Sequence, residues 1–182
     1  AFEAFSPAAD ADGVLDYHGL VALGVRTWLD GGEAFVRRRD RSLSSPLPAP
    51  VQFQLLEGHF LPVFDTDDWR GLPADHTIRQ GIERNRWGRR TAYWFYGEHP
   101  GDKPASRKPD SRELIRVPAS EVSHLFEPKR PGQLRGVTSL ASVLVRLRAA
   151  LNFEDAVLDR QLLANLFTMF ITREMPGKLE DI

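Results

Sequence analysis

The sequence predicts an α+β fold, a small mixed sheet with one flanking helix followed by a long C-terminal helix, on three observations. Apolar and polar residues alternate over 51–55 and the aromatic run near 93–96 sits in a hairpin pattern, the period of strands with one or both faces covered. Between Asp16 and Asp30 apolar residues recur at three- and four-residue spacing, the period of a helix. From Val137 to Met175 neither Gly nor Pro interrupts the chain, so nothing local stops a long helix.

In chain order, the first helix carries Leu20, Ala22, Leu23, Val25, Trp28 and Leu29, and Gly31-Gly32 supplies its stop. Glu33–Arg39 follows, with Ala34, Phe35 and Val36 ahead of a run of arginines, and reads as a strand leaving the core for solvent. The Ser/Pro-rich stretch 40–50 is a loop. Val51, Phe53 and Leu55 alternate with Gln52 and Gln54, predicting a strand with its apolar side on the odd positions. Residues 57–77 hold Asp65, Asp67 and Asp68 between Pro62 and Pro73 and read as an irregular surface excursion. Ile78–Arg84 and Arg89–Tyr96 form the strongest hairpin pattern, joined through Asn85-Arg86-Trp87-Gly88, with Tyr93 and Phe95 on one face and Trp94 and Tyr96 on the other. Gly97–Arg112 has three prolines and no aliphatic residue and is expected to be a mobile loop. Leu114–Val117 and Val122–Phe126 are short strands around a Pro118–Glu121 turn. In the last stretch Leu140, Leu144, Leu147, Leu151, Leu158, Leu162, Leu166 and Met169 keep close to one helical stripe. Asn152 followed by Glu154 and Asp155 leaves open a break into two helices there.

Composition narrows the classes. The chain has 182 residues, 42% hydrophobic and 27% charged, enough for one domain with a core and an appendage. No apolar run reaches the roughly 18 residues that span a bilayer, and no basic segment leads into an apolar one at the start, so a soluble chain without a signal peptide is expected. The opening Ala reads as a truncated or processed end. Without cysteine there are no disulfides or thiolate metal sites. A net charge of −1 excludes coating nucleic acid by bulk charge. The charge is segregated, however: residues 1–36 are acidic apart from Arg26, and the hairpin 78–96 has Arg79, Arg84, Arg86, Arg89 and Arg90 against Glu83. Such alternation suits packing of acidic patch on basic patch between copies. The preference for Arg over Lys fits interface or phosphate contacts, or simply the codon usage of a GC-rich genome.

The sequence carries little sign of organised chemistry. His18, His59, His76, His99 and His124 are scattered, and none has a second His or a carboxylate four residues away, so no metal site and no cofactor is expected. Asp65, Asp67 and Asp68 with Glu57 offer oxygens that Mg²⁺ would accept in a small nuclease, against the plainer reading of a solvated acidic loop. His124, between Val122 and Phe126, reads as a buried or half-buried structural histidine. No nucleophile elbow, phosphate loop or dinucleotide fingerprint occurs, so no catalytic residue is assigned. The hairpin tip surrounds Trp87 with Arg84, Arg86, Arg89 and Arg90. That combination either docks on a neighbouring subunit or binds a nucleic-acid backbone and stacks on a base, and the subunit contact is preferred.

Several ordered motifs then point to a family. Trp28-Leu29-Asp30-Gly31-Gly32-Glu33-Ala34-Phe35-Val36-Arg37, Gln54-Leu55-Leu56-Glu57, Gly81-Ile82-Glu83, Ala92-Tyr93-Trp94-Phe95 and His99-Pro100-Gly101 come first. Arg116-Val117-Pro118-Ala119, His124-Leu125-Phe126 and Arg130-Pro131-Gly132-Gln133-Leu134-Arg135-Gly136-Val137 follow, ahead of the long helix. The set, from Ala11 to Ile171, resembles the lambda-type portal proteins of tailed bacteriophages. The resemblance implies a structural protein, not an enzyme: a ring of about a dozen copies at one capsid vertex, in the virion and, during assembly, in the host cytoplasm. It implies a DNA channel without sequence specificity, docking of terminase and head-tail connectors, and contact with capsid or scaffolding protein, with no membrane partner. By likeness, residues 1–136 are a wing-like α/β domain, 137–175 the first stem helix, and 176–182 a tail leading to a clip, so the chain reads as a fragment of a longer protein. The expected subunit contacts are Arg84, Arg86, Trp87, Arg89 and Arg90 on the hairpin and Leu158, Leu162, Leu166, Phe167 and Phe170 on the helix.

Overall fold

The computed structural model describes residues 2–69, 71–102 and 114–173, with side chains as far as 166. The expected mobile loop falls for the most part on 103–113, outside the described residues. By internal contacts the chain divides into two units, Ala1–Ser139 and Leu140–Ile182.

The first unit opens with a one-turn helix α1 (Phe2–Phe5) and then α2 (Tyr17–Gly31). Asp16 caps α2 by accepting from the Gly19 N–H at 2.7 Å, which satisfies one of the free N–H groups of the first turn. Gly32, at φ 83°, ends it in the left-handed conformation and returns its N–H to the Trp28 carbonyl. A side chain could not stand there, because a Cβ on Gly32 would lie 2.2 Å from the Thr138 nitrogen. The segment after Gly136 thus crosses the end of α2, and the Thr138 hydroxyl donates to the Leu29 carbonyl at 2.6 Å.

Among the described residues seven strands follow: β1 (Glu33–Asp40), β2 (Val51–Glu57), β3 (Thr77–Arg79), β4 (Ile82–Arg84), β5 (Arg90–Tyr96), β6 (Leu114–Pro118) and β7 (Val122–Phe126). The α+β class holds, but the strands make two antiparallel sheets, β2-β1-β7 and β3-β4-β5-β6, in place of one mixed sheet. The predicted first arm of the hairpin is two strands. Gln80 (φ 53°) and Gly81 (φ 78°) turn the chain between Arg79 and Ile82, and a two-residue turn with both φ positive suits the twist of paired strands.

The sheets meet through Phe35, Leu56, Leu61, Ile82, Tyr93, Phe95 and Val117. Phe35 is fully buried, with its ring centroid 5.7 Å from Tyr93 and 5.2 Å from Phe95 in edge-on geometry. Such pairs add about 0.5–1.5 kcal/mol to what their area contributes. The register, Phe35 opposite Leu56, adds a second covered face to β2: Leu56 faces the inter-sheet core, while Phe53 and Leu55, on the predicted apolar side, line the groove beneath α2. The excursion 57–77 is irregular as expected, yet it is not merely surface. Leu61 is 1% exposed, Trp69 packs on Phe64 and Trp94, and His76 reaches Glu83.

The second unit is α3 (Ala141–Arg173), 33 residues without a break at Asn152 and about 50 Å long at 1.5 Å per residue. It starts four residues after the predicted Val137, because 137 and 138 lie over the end of α2. Every residue of α3 up to Leu166 is exposed. At about 100° per residue, Leu144, Leu147, Leu151, Leu158, Leu162 and Leu166 share one side, and Val145, Phe153, Val157 and Leu163 lie across the helix from them. One stripe therefore describes only part of its apolar surface.

Candidate functional site

Features of the molecule with chemical content beyond packing include the buried carboxylates Glu33 and Glu83 in the sheet unit, the arginine-rich tip between β4 and β5, and the exposed apolar surface of α3.

Glu33 opens β1 directly after the Gly32 cap and is 4% exposed. Its Oε2 accepts from the Gly136 N–H at 2.7 Å and lies 3.1 Å from His124 Nε2, and its Oε1 accepts from Arg135 Nε at 2.7 Å. Burial pushes the Glu33 carboxyl up, but His124, Arg135 and the Gly136 N–H together hold it below its usual range. His124 stacks between Phe35 and Phe126, each centroid 4.3 Å away. Its pKa is lowered, first by burial and then by Arg90 and Arg135, against the opposing pull of Glu33. Arg90 Nη1 lies 3.4 Å from His124 Nδ1; a guanidinium only donates, so Nδ1 carries the lone pair and the proton sits on Nε2, directed at Glu33. Arg135 also donates to the carbonyls of Leu61, Gln80 and Gly58, tying the chain after β7 to both sheets. The structural reading of His124 agrees with this arrangement. Glu33 was not legible, because nothing local marks a strand's first glutamate as buried.

Glu83, on the outer face of β4, has no exposed surface. Arg116 reaches it from β6 with two bonds of 2.7 and 2.9 Å, Thr91 donates at 3.0 Å, and His76 Nδ1 lies 2.7 Å away. Burial raises its pKa, and Arg116, His76 and Thr91 outweigh burial and hold it at about 2. Two bonds from one guanidinium make a directional pair.

At the tip, Asn85 Oδ1 accepts from the Trp87 and Arg89 N–H groups and closes the loop 85–89. Trp87 is 72% exposed, with the Arg86 guanidinium 4.0 Å from its ring centre. The five predicted tip residues separate here. Arg86, Trp87 and Arg89 face solvent, Arg84 folds back to donate to the Gly88 carbonyl at 3.0 Å, and Arg90 turns inward to the carbonyls of Gln133 and Leu134 and the ring of Phe126. On α3, Leu158, Leu162 and Leu166 are 59%, 63% and 53% exposed, while the side chains of Phe167 and Phe170 lie outside the described residues.

Three of the four acidic residues that could offer oxygens to Mg²⁺ meet other groups of the chain. Asp65 accepts from the Gln80 N–H, Asp67 pairs with Arg79 at 2.7 Å, and Glu57 lies instead beside His59 and His99. Beneath α2 a groove of 640 Å³ is lined by apolar side chains including Val21, Val25, Trp28, Val36, Phe53 and Leu55. Among the described residues no helix is long and apolar enough to cross a membrane.

The comparisons with known proteins bear on all of this. Over 85 residues the chain is 36% identical to the "Probable portal protein" of Halomonas phage phiHAP-1. The match covers 47% of this chain and 15% of that relative, so the chain spans a small part of the relative's length. The family model for the phage portal protein, lambda family, matches residues 1–181. With a match along nearly its whole length, the chain belongs to the lambda family of phage portal proteins.

Proposed function

We propose that this chain is the wing and first stem helix of a portal ring, the sheet unit serving as wing and α3 as stem, in a structural and non-catalytic role. The ring stands at one capsid vertex, passes double-stranded DNA without reading its sequence, and docks terminase, head-tail connectors and capsid or scaffolding protein. The observation that carries the reading is the family match over residues 1–181. The physical support is α3. A helix with apolar side chains exposed on opposite sides has more such surface than one neighbour covers, which suits a position among several helices. In a closed cyclic ring each copy presents two different surfaces, and Arg86, Trp87 and Arg89 are placed to contact an acidic neighbour.

The test is assembly. Sedimentation velocity and negative-stain microscopy of the protein should show ring-sized oligomers, and Leu162→Asp should abolish them while the sheet unit keeps its strand signal, because a charge in a desolvated contact is costly. Loss of the sheet fold in that variant would instead make α3 part of a single core. A monomer that binds DNA with steep salt dependence would favour a nucleic-acid role for the arginine tip.

A further inference from the structure

Glu57, His59 and His99 are distant from one another in two of their three sequence separations, and the fold gathers them. Glu57 ends β2 in the first sheet, His59 lies in the single turn Gly58–Phe60 that follows, and His99 belongs to the link leaving β5 in the second sheet. One ligand atom from each lies within 4.8 Å of the other two. Glu57 Oε1 is 3.5 Å from His59 Nδ1 and 2.5 Å from His99 Nε2. Close as that second pair is, His99 Nε2 is buried and has no aligned hydrogen bond. A donor and an acceptor that approach without pointing at each other are disposed like two ligands aimed at a third body. The two imidazole rings stand 76° apart with centroids separated by 6.1 Å, and the Phe60 ring, 5.2 Å from His99, holds that ring in place.

The geometry points to a divalent transition-metal site of the zinc class held by Glu57, His59 and His99, with water completing the coordination. Two imidazoles and one carboxylate are the donors such ions prefer, whereas Ca²⁺ and Mg²⁺ call for more oxygens. Metal–ligand bonds of about 2.0–2.1 Å around a tetrahedral centre place ligand atoms about 3.3 Å apart, so His99 and Glu57 separate by less than about 1 Å to admit the ion. His59, with its side chain 78% exposed, is free to swing into line. One existing bond must yield. The Gly101 N–H now donates to His99 Nδ1 at 3.1 Å, and with Nε2 on a metal Nδ1 carries the proton and needs an acceptor. The Asp102 carboxylate stands 4.0 Å away, the partner that a metal-bound imidazole usually has behind it. An ion held here ties the end of β2 to the link after β5 and so joins the two sheets at one edge.

The experiment uses the whole chain, dialysed against chelator and titrated with Co²⁺, whose visible absorption reports tetrahedral nitrogen and oxygen ligands, and then with Zn²⁺ in competition. The expected result is one Co²⁺ per chain, displaced by Zn²⁺, with affinity falling at least about tenfold in His59→Ala and in His99→Ala, and about tenfold in Asp102→Asn. His59 is exposed, so His59→Ala retains the fold, as far-UV circular dichroism will verify. No saturable binding by the wild type overturns the proposal, since Glu57 and His99 are then only an ion pair. Undiminished binding in both histidine variants also overturns it, because other histidines hold the metal. So does a preference for Ca²⁺ over Co²⁺.

Discussion

The sheet unit and α3 invert each other's use of side chains. The sheet unit takes charge inside: Glu33 and Glu83 are 4% and 0% exposed, and each is surrounded by donors from remote parts of the chain. The helix leaves apolar side chains outside, with Val145 77% and Phe153 70% exposed. The partners of Glu33 and Glu83 all come from the sheet unit, which therefore completes these two ion-pair sites by itself, since a missing partner would leave an unpaired charge in a desolvated place. Exposed leucines on opposite sides of a helix show the reverse, because their burial waits for another surface. The two regions thus differ in where buried charge finds its partners, not in hydrophobic content, which both have.

The sharpest way to break this comparison is a pair of truncations. Phe35→Ala, at the centre of the inter-sheet core, should destabilise the sheet unit by about 3–5 kcal/mol, whereas Leu158→Ala should change the stability of the monomer by less than about 0.5 kcal/mol. Urea denaturation at low protein concentration measures both. Equal effects would mean that α3 is packed in the monomer. Next in size, Glu83→Ala should cost about 3 kcal/mol, because it strands Arg116 and His76 beside a vacated site; the same denaturation curves report it.

Acid should find the sheet unit's charges before it disturbs anything else. His124 has a folded pKa below its ordinary 6.5, so as pH falls past 6.5 the unfolded chain takes a proton that the folded one resists, and stability declines. Glu83, held at about 2 against 4.5, and Glu33, also lowered from 4.5, contribute stability that is present above pH 4.5 and disappears as pH falls through their folded values. The denaturation midpoint should therefore decline in two stages, a shallow one below pH 6.5 and a steeper one between 4.5 and 2. Glu83→Gln should flatten the second stage, and an unchanged profile would deny that its ion pairs matter. The smallest effect on the fold is expected at the tip. Reversing Arg86 and Arg89 to Glu should leave stability within about 0.5 kcal/mol of wild type and slow assembly, as rim charges steer association. Light scattering against time would detect the difference.

Much of the secondary structure was legible because it is local. The Asp16 cap, the Gly32 stop, the alternation in β2 and the uninterrupted run of α3 each depend on residues within a turn or two, and backbone geometry translates such spacing directly into helix or strand. The tip was legible in part: Asn85 and Gly88 announce a turn, and Trp87 and Arg86 are exposed there. The direction in which a given strand or arginine faces came from the packing. Leu56 stands opposite Phe35 and faces the inter-sheet core although the apolar alternation of β2 runs on the odd positions, because the second face of a strand is covered only once another layer packs on it. Likewise Arg90 differs from Arg89 by one position, yet it turns inward to the carbonyls of Gln133 and Leu134, and Glu57 meets His99 across 42 residues of chain. Local spacing in the sequence carried most of the elements and the ordered motifs carried the family. The pairing of strands and the packing of one sheet on the other determined the company each charged residue keeps, since that depends on chain segments whose separation in sequence carries no local signal.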